Sequence, residues 1–207
     1  MLRTGLSIHR GLFASGRVPA VSRPGGAISA LELLLLLSLG AVAALATVLL
    51  DFRLRIPGHA VLRSVFPMAL GLVLVPRRFA GTIMGGSALA TALLAGVARG
   101  SGAGAGALTS LSLTGPLLDL ALWGAERGWR LYLGFVLAGL GSNLVALAVR
   151  GGLKALVPGS GSRPAEQWWA SAPLTYPVCG ILAGLVSAFV WFRFRRRGAP
   201  SDGEVAP

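Results

Sequence analysis

The chain has one cysteine, Cys179, and two histidines, His9 and His59, in 207 residues. A single thiol excludes an intramolecular disulfide and a cysteine-built metal cluster. An intramembrane serine protease of the rhomboid type needs a nucleophilic serine and a histidine base in a later helix. Both histidines precede the GSG at 159–161, so that base is missing. No HExxH, paired aspartates, Walker loop or CxxC occurs either. The glycine-rich stretch at 101–107 lacks the lysine and strand context of a phosphate cradle and reads as a flexible outer turn. These gaps argue against an enzyme and against a bound cofactor or metal.

Charge is also scarce, at 13% of residues, and only seven Asp and Glu stand against 19 Lys and Arg. A net charge of +12 in a soluble protein would point to nucleic acid. Here 54% of residues are hydrophobic and the mean hydropathy is +0.73, which leaves no soluble domain to hold a nucleic acid. Membrane topology and anionic lipid headgroups account for a basic surface without one.

What is present in abundance is unbroken apolar sequence. A bilayer-spanning helix takes about 20 residues, and six such stretches are predicted near 28–50, 58–76, 79–99, 104–123, 129–149 and 175–195. The expected fold is all-α, a six-helix transmembrane bundle over 28–195. A basic cytoplasmic tail precedes it at 1–27, and a disordered cytoplasmic tail follows at 196–207. The first 26 residues lack Asp and Glu, a composition shared by transit peptides and basic tails. The first run reaches Asp51 and the loop DFRLRIPGH, where Pro57 and Gly58 stop it, and Pro116 predicts a kink in the fourth helix.

Loops rich in Lys and Arg stay on the cytoplasmic side. The segments holding Arg3, Arg10, Arg17, Arg23, Arg77, Arg78, Arg127, Arg130, Arg193, Arg195, Arg196 and Arg197 outnumber those holding Arg53, Arg55, Arg63, Arg99, Arg150, Lys154 and Arg163. Both termini are therefore expected in the cytoplasm, in a multi-pass protein of the cell membrane. Trp123, Trp129 and Tyr132, with Trp191, Phe192 and Phe194, suit an aromatic belt on that side.

Small residues let membrane helices approach closely. Gly40 and Ala44 are spaced i, i+4 in the first helix, as are Gly81 and Gly85, Gly134, Ala138 and Ser142, and Gly180, Gly184 and Ala188 in later ones. Packing within the bundle explains all of them. The Gly40/Ala44 face is also a candidate docking surface for a partner subunit.

Polar groups inside the spans are few. Asp119 lies near the inner end of helix four, where it is placed either to pair with Arg127 or Arg130 or to serve a function. The run TSLSLTGP puts Thr109, Ser112 and Pro116 on one helical face and Ser110 and Thr114 on another. Such hydroxyls either bond their own backbone or line a polar wall. Asn143 needs partners across the bundle, from a ligand or from those hydroxyls. Under the assigned orientation Thr91, Thr109, Ser112, Asn143 and Tyr176 share the outer half, with Arg53, Arg55, His59, Arg63, Trp168 and Trp169 in the loops above. Arg53, His59, Thr91, Thr109, Ser112, Asn143, Trp168 and Tyr176 are the candidate substrate-binding residues.

Six helices, cytoplasmic termini, a small-residue-rich first helix and Pro57-Gly58-His59 in the first outer loop resemble the substrate-binding S component of energy-coupling-factor transporters. LGLVLVPRRFAGTIMGGSA (70–88) is similar to the segment where such proteins, the biotin-binding type among them, pass through a Gly-Pro-Arg-type turn into a glycine-rich helix. TGPLLD (114–119) is similar to their Gly-Pro segment in helix four. The family's Ala-x-x-x-Ala coupling motif is present only as Gly40/Ala44. The Met-His N-terminus of the cobalt-type relatives is absent, which argues against a metal substrate. The resemblance implies capture of a vitamin-like small molecule by this chain, with a transmembrane coupling subunit and two ATPases as partners. Arg53, Arg55 and Arg63 would favour an anionic substrate or merely solvate the loop. A structural subunit of another membrane complex is the rival reading. A proton-coupled carrier relying on Asp119 is a third, although no internal repeat of the carrier type is evident.

Overall fold

The computed structural model describes residues 28–49, 57–100, 103–123, 128–157 and 164–195. Six helices and no strand occur among them: α1 (Ala30–Leu49), α2 (Ala60–Leu74), α3 (Ala80–Arg99), α4 (Ala105–Trp123), α5 (Gly128–Leu156) and α6 (Ala165–Arg195). Both basic tails, Arg53, Arg55, Arg127, Arg163 and the GSG at 159–161 lie outside the described residues.

Each boundary has a local cause. The sequence SALE opens α1 as a reciprocal capping box: the Ser29 N–H donates to Glu32 Oε2 at 2.8 Å, and the Glu32 N–H donates to Ser29 Oγ at 3.2 Å. Gly58, at φ +84°, precedes α2 in a conformation open to glycine. Pro76 ends α2 by driving Val75 out of the helical region, to φ −125° and ψ 80°. The observed α2 thus has 15 residues where 19 were predicted. Gly100, also left-handed, closes α3.

Five helices are long and apolar enough to cross a membrane, and α2 is the exception. Its 15 residues span about 22 Å against a hydrocarbon core of about 30 Å. It is instead closely enclosed, with Val61, Ser64, Val65, Pro67, Met68, Ala69, Gly71 and Leu72 buried. The last two helices exceed their predicted lengths. At 29 and 31 residues, α5 and α6 reach about 43 and 46 Å. Gly151 does not break α5, because the ring of Trp169 packs against it at 2.7 Å from where a Cβ would stand. Pro173 and Pro177 do not break α6. Trp168 and Trp169, expected in the longest outer loop, are therefore helical.

The helices pack as a ring in the order α1, α3, α4, α5, α6, α2 and back to α1, with α2 also reaching inward to α3 and α4. Leu36, Met68, Leu72, Met84, Leu111, Leu118, Leu122, Leu131, Phe135 and Trp191 form its shared core. Outward faces carry Leu34, Leu94, Leu137 and Leu174, all exposed, as a lipid-facing surface requires.

Close contact between neighbours depends on glycine. A Cβ on Gly115 would overlap the Gly81 carbonyl, and one on Gly81 the Gly115 carbonyl, so α3 and α4 cross backbone to backbone. Gly180 and Gly184 meet Gly139 and Phe135 of α5 in the same manner. Gly139, outside the i, i+4 pattern read from the sequence, is the residue of α5 at that crossing. Gly40 and Ala44, expected on a docking face, are buried, Gly40 against Met84 and Ser87 of α3. That surface is used inside the molecule.

Candidate functional site

Antiparallel packing of sequence neighbours sorts the polar groups to two ends. At the end holding the N-terminus of α1, Arg77 pairs with Glu32 across 3.3 Å. Asp119 lies on the same level, at the last turn but one of α4. Its Oδ1 accepts from the Gly81 N–H at 2.8 Å, and its Oδ2 accepts from the Thr82 N–H at 2.7 Å and the Thr82 hydroxyl at 2.8 Å. The carboxylate therefore caps α3, whose own N-cap residue, Phe79, supplies no side-chain acceptor. The negative charge also sits at the positive end of the α3 dipole. The glycine crossing is what brings the carboxylate this close, because Cβ atoms at Gly81 and Gly115 would hold the backbones apart. The expected pairing with Arg130 is replaced by this cap, and Arg127 lies outside the described residues.

The hydroxyls of α4 are spent locally. Thr109 donates to the Ala105 carbonyl at 2.8 Å and Ser112 to the Thr109 carbonyl at 3.0 Å. Thr114 bonds the Ser110 carbonyl at 2.6 Å and meets Ser142 of α5 at 3.2 Å. Back-bonding of this kind satisfies a hydroxyl in the absence of water.

The opposite end gathers a richer set. The Asn143 amide of α5 donates to the Gly58 carbonyl at 3.1 Å and to the Tyr176 carbonyl at 2.9 Å. One side chain thus ties α5, α6 and the turn before α2. A Cβ on Gly58 would come within 3.0 Å of the Tyr176 Cα, so this turn fits against α6 only with glycine. The Tyr176 hydroxyl lies over Gly106 of α4, with the Arg150 guanidinium in hydrogen-bonding reach. Beside the turn, Arg63 donates to His59 Nε2 at 2.8 Å and to the Thr47 carbonyl at 3.3 Å. A guanidinium only donates, so in this contact His59 carries its proton on Nδ1.

About two turns nearer the start of α6, Trp168 meets Tyr176 edge to face at 6.2 Å and Trp169 at 4.8 Å. Lys154, nearly buried, lies 5.9 Å from the Trp168 ring centre. Trp168 is 2% exposed, and its indole N–H has no hydrogen-bond partner among the described residues. An unpaired buried donor costs about 1–3 kcal/mol unless something meets it.

Of the candidate substrate residues, the structure brings His59, Asn143, Trp168 and Tyr176 to one end. Thr91 is half-buried on α3, and no hydrogen bond joins it to this cluster among the described residues. Thr109 and Ser112 point their hydroxyls at their own helix, and Arg53 lies outside the described residues. Arg150 and Lys154, expected among the outer-loop charges, are helical because α5 continues through the paired glycines at 151 and 152. No family model, curated protein or solved structure matches this chain, so the resemblance to transporter S components rests on its short motifs.

Proposed function

We propose that this chain is a multi-pass cell-membrane protein with both termini in the cytoplasm. Its α5–α6 outer end takes up a small anionic, vitamin-like molecule. It would act as the substrate-binding subunit beside a transmembrane coupling subunit and ATPases. In this reading α2 is the sixth span, completed at each end by the turns at 57–59 and 75–79. The observation that carries it is the unpaired, buried Trp168 N–H in a nest of rings with Lys154 and Arg150 close by. Aromatic walls with a few convergent donors are the usual make-up of a small-molecule site. Cations supply the charge-assisted bonds an anionic group requires.

A structural subunit of another membrane complex is the second reading. It is favoured by the commitment of Asp119, Thr109, Ser112, Thr114 and Ser142 to bonds within the fold. Native mass spectrometry of protein purified gently from its own membranes separates the two. A stoichiometric small metabolite that Trp168→Phe abolishes supports the binding subunit. Ligand-free protein held in an unrelated assembly supports the scaffold.

A further inference from the structure

The end of the bundle opposite that site carries its own arrangement of cations and exposed rings. Arg78 stands 4.1 Å from the ring centre of Trp123 and 6.0 Å from that of Phe79. Arg130 stands 5.5 Å from the ring centre of Trp129. These pairs come from the turn before α3, the last residue of α4 and the start of α5. The approach of Gly134 to Ala121, 3.1 Å from where a Cβ would stand to the Ala121 Cβ, brings the last turn of α4 beside the start of α5. Trp123 is 67% exposed and Phe79 58% exposed.

Phe79 is also the one non-glycine residue with positive φ among the described residues, at 66°. That conformation is the third position of the turn closed by the Ala80 N–H on the Arg77 carbonyl at 3.3 Å, and it leaves the ring exposed. It does present an aromatic group beside Arg78. The adjacent Arg77 is committed to Glu32, and the N–H groups that open α3 are filled by Asp119. Among the described residues of this patch, Arg78 and Arg130 are exposed cations, each against a ring.

We infer that Arg78, stacked on Trp123 beside Phe79, together with Trp129 and Arg130, forms a headgroup site for an anionic phospholipid. The phosphodiester meets the guanidinium groups, whose planar donors match phosphate oxygens. The rings lie at the level of the glycerol backbone, where tryptophan is favoured. A free phosphate ion would gain nothing from three exposed rings, whereas a lipid covers them with its glycerol and upper acyl chain. The inference does not depend on the proposed transport role.

The test titrates delipidated, detergent-solubilised protein with phosphatidylglycerol or phosphatidylcholine and reads bound lipid by native mass spectrometry. The natural chain is expected to prefer phosphatidylglycerol. Arg78→Gln should weaken that lipid about fivefold, the effect of one interfacial cation. Trp123→Leu should weaken it although every charge remains. Arg99→Gln, which removes a cation from the other end, should not. Should Arg78→Gln lose its helical circular dichroism, Arg78→Lys takes its place. That variant keeps the charge, gives up the stack and is expected to fall between the two. Equal affinity for both lipids, an equal loss in Arg99→Gln, or displacement of the lipid by inorganic phosphate at millimolar concentration would each overturn the assignment.

Discussion

Replacing Asp119 with alanine removes three acceptor contacts at once, and the structure sets the scale of the loss. The Gly81 and Thr82 N–H groups are left at a half-buried helix start with no substitute acceptor from Phe79. An N-cap contributes about 1 kcal/mol, and an unpaired buried donor costs about 1–3 kcal/mol. The expected destabilisation is about 2–4 kcal/mol. For a domain of this size, that lowers the midpoint of thermal unfolding by about 5–15 °C. Asp119→Asn is expected to fall between the two, because its amide nitrogen must face one of the same N–H donors. The assay is built into the chain: Cys179 is the only thiol and is buried, so a thiol-reactive fluorophore reports unfolding in detergent or nanodiscs. If Asp119→Ala unfolds within 2 °C of the natural protein, with 2 °C the usual reading error of such a scan and about 0.5–1 kcal/mol here, the capping role is wrong. If Asp119→Asn keeps its stability yet loses proton-gradient-driven uptake, the carrier reading replaces it.

The α3–α4 crossing predicts a contrast between glycines. Gly115→Ala drives a Cβ into the Gly81 carbonyl and should cost about 2–3 kcal/mol, the upper part of the overpacking range, because backbone yields little. Gly86→Ala, facing open space on the same helix as Gly81, should be neutral or stabilising by up to about 1 kcal/mol; the thiol melt compares them. Asn143→Leu keeps the volume but withdraws both donors from Gly58 and Tyr176. A loss of about 2 kcal/mol is expected, with faster labelling of Cys179, one turn along α6, below the melting temperature; unchanged labelling would refute the tie. Trp168→Phe deletes an unpaired donor but also shrinks a fully buried ring and leaves a void, so a net loss of about 0–2 kcal/mol, a fall of up to about 8 °C, is expected. A larger fall would mean that the N–H is satisfied in the native membrane protein.

Long apolar runs announce helices because, without water, a backbone satisfies its own hydrogen bonds most simply as a helix. The all-helical class and the limits of α1, α3 and α4 were legible to within two residues for that reason. Limits failed where a local signal was outweighed by a distant contact. The glycines at 151 and 152 and the prolines at 173 and 177 read as breakers. The ring of Trp169 against Gly151 and the pairing of α5 with α6 carry the helices through. At α2 the error ran the other way, since hydropathy continues past Leu74 while Pro76 forbids helix at Val75.

Sequence by itself determined which residues must leave water and which small residues allow backbones to touch. It grouped Asn143, Tyr176, Trp168 and His59 at one end of the bundle from charge and span alone. Tertiary structure decided their partners. Asp119 caps a helix that begins 39 residues before it, and Asn143 bonds Gly58 at a separation of 85 residues. No periodicity carries such pairings, because they depend on how closely two helices approach. That distance is set by glycines on both helices at once, Gly81 with Gly115 and Gly139 with Gly180, and each half of such a pair is uninformative until the other is opposite it.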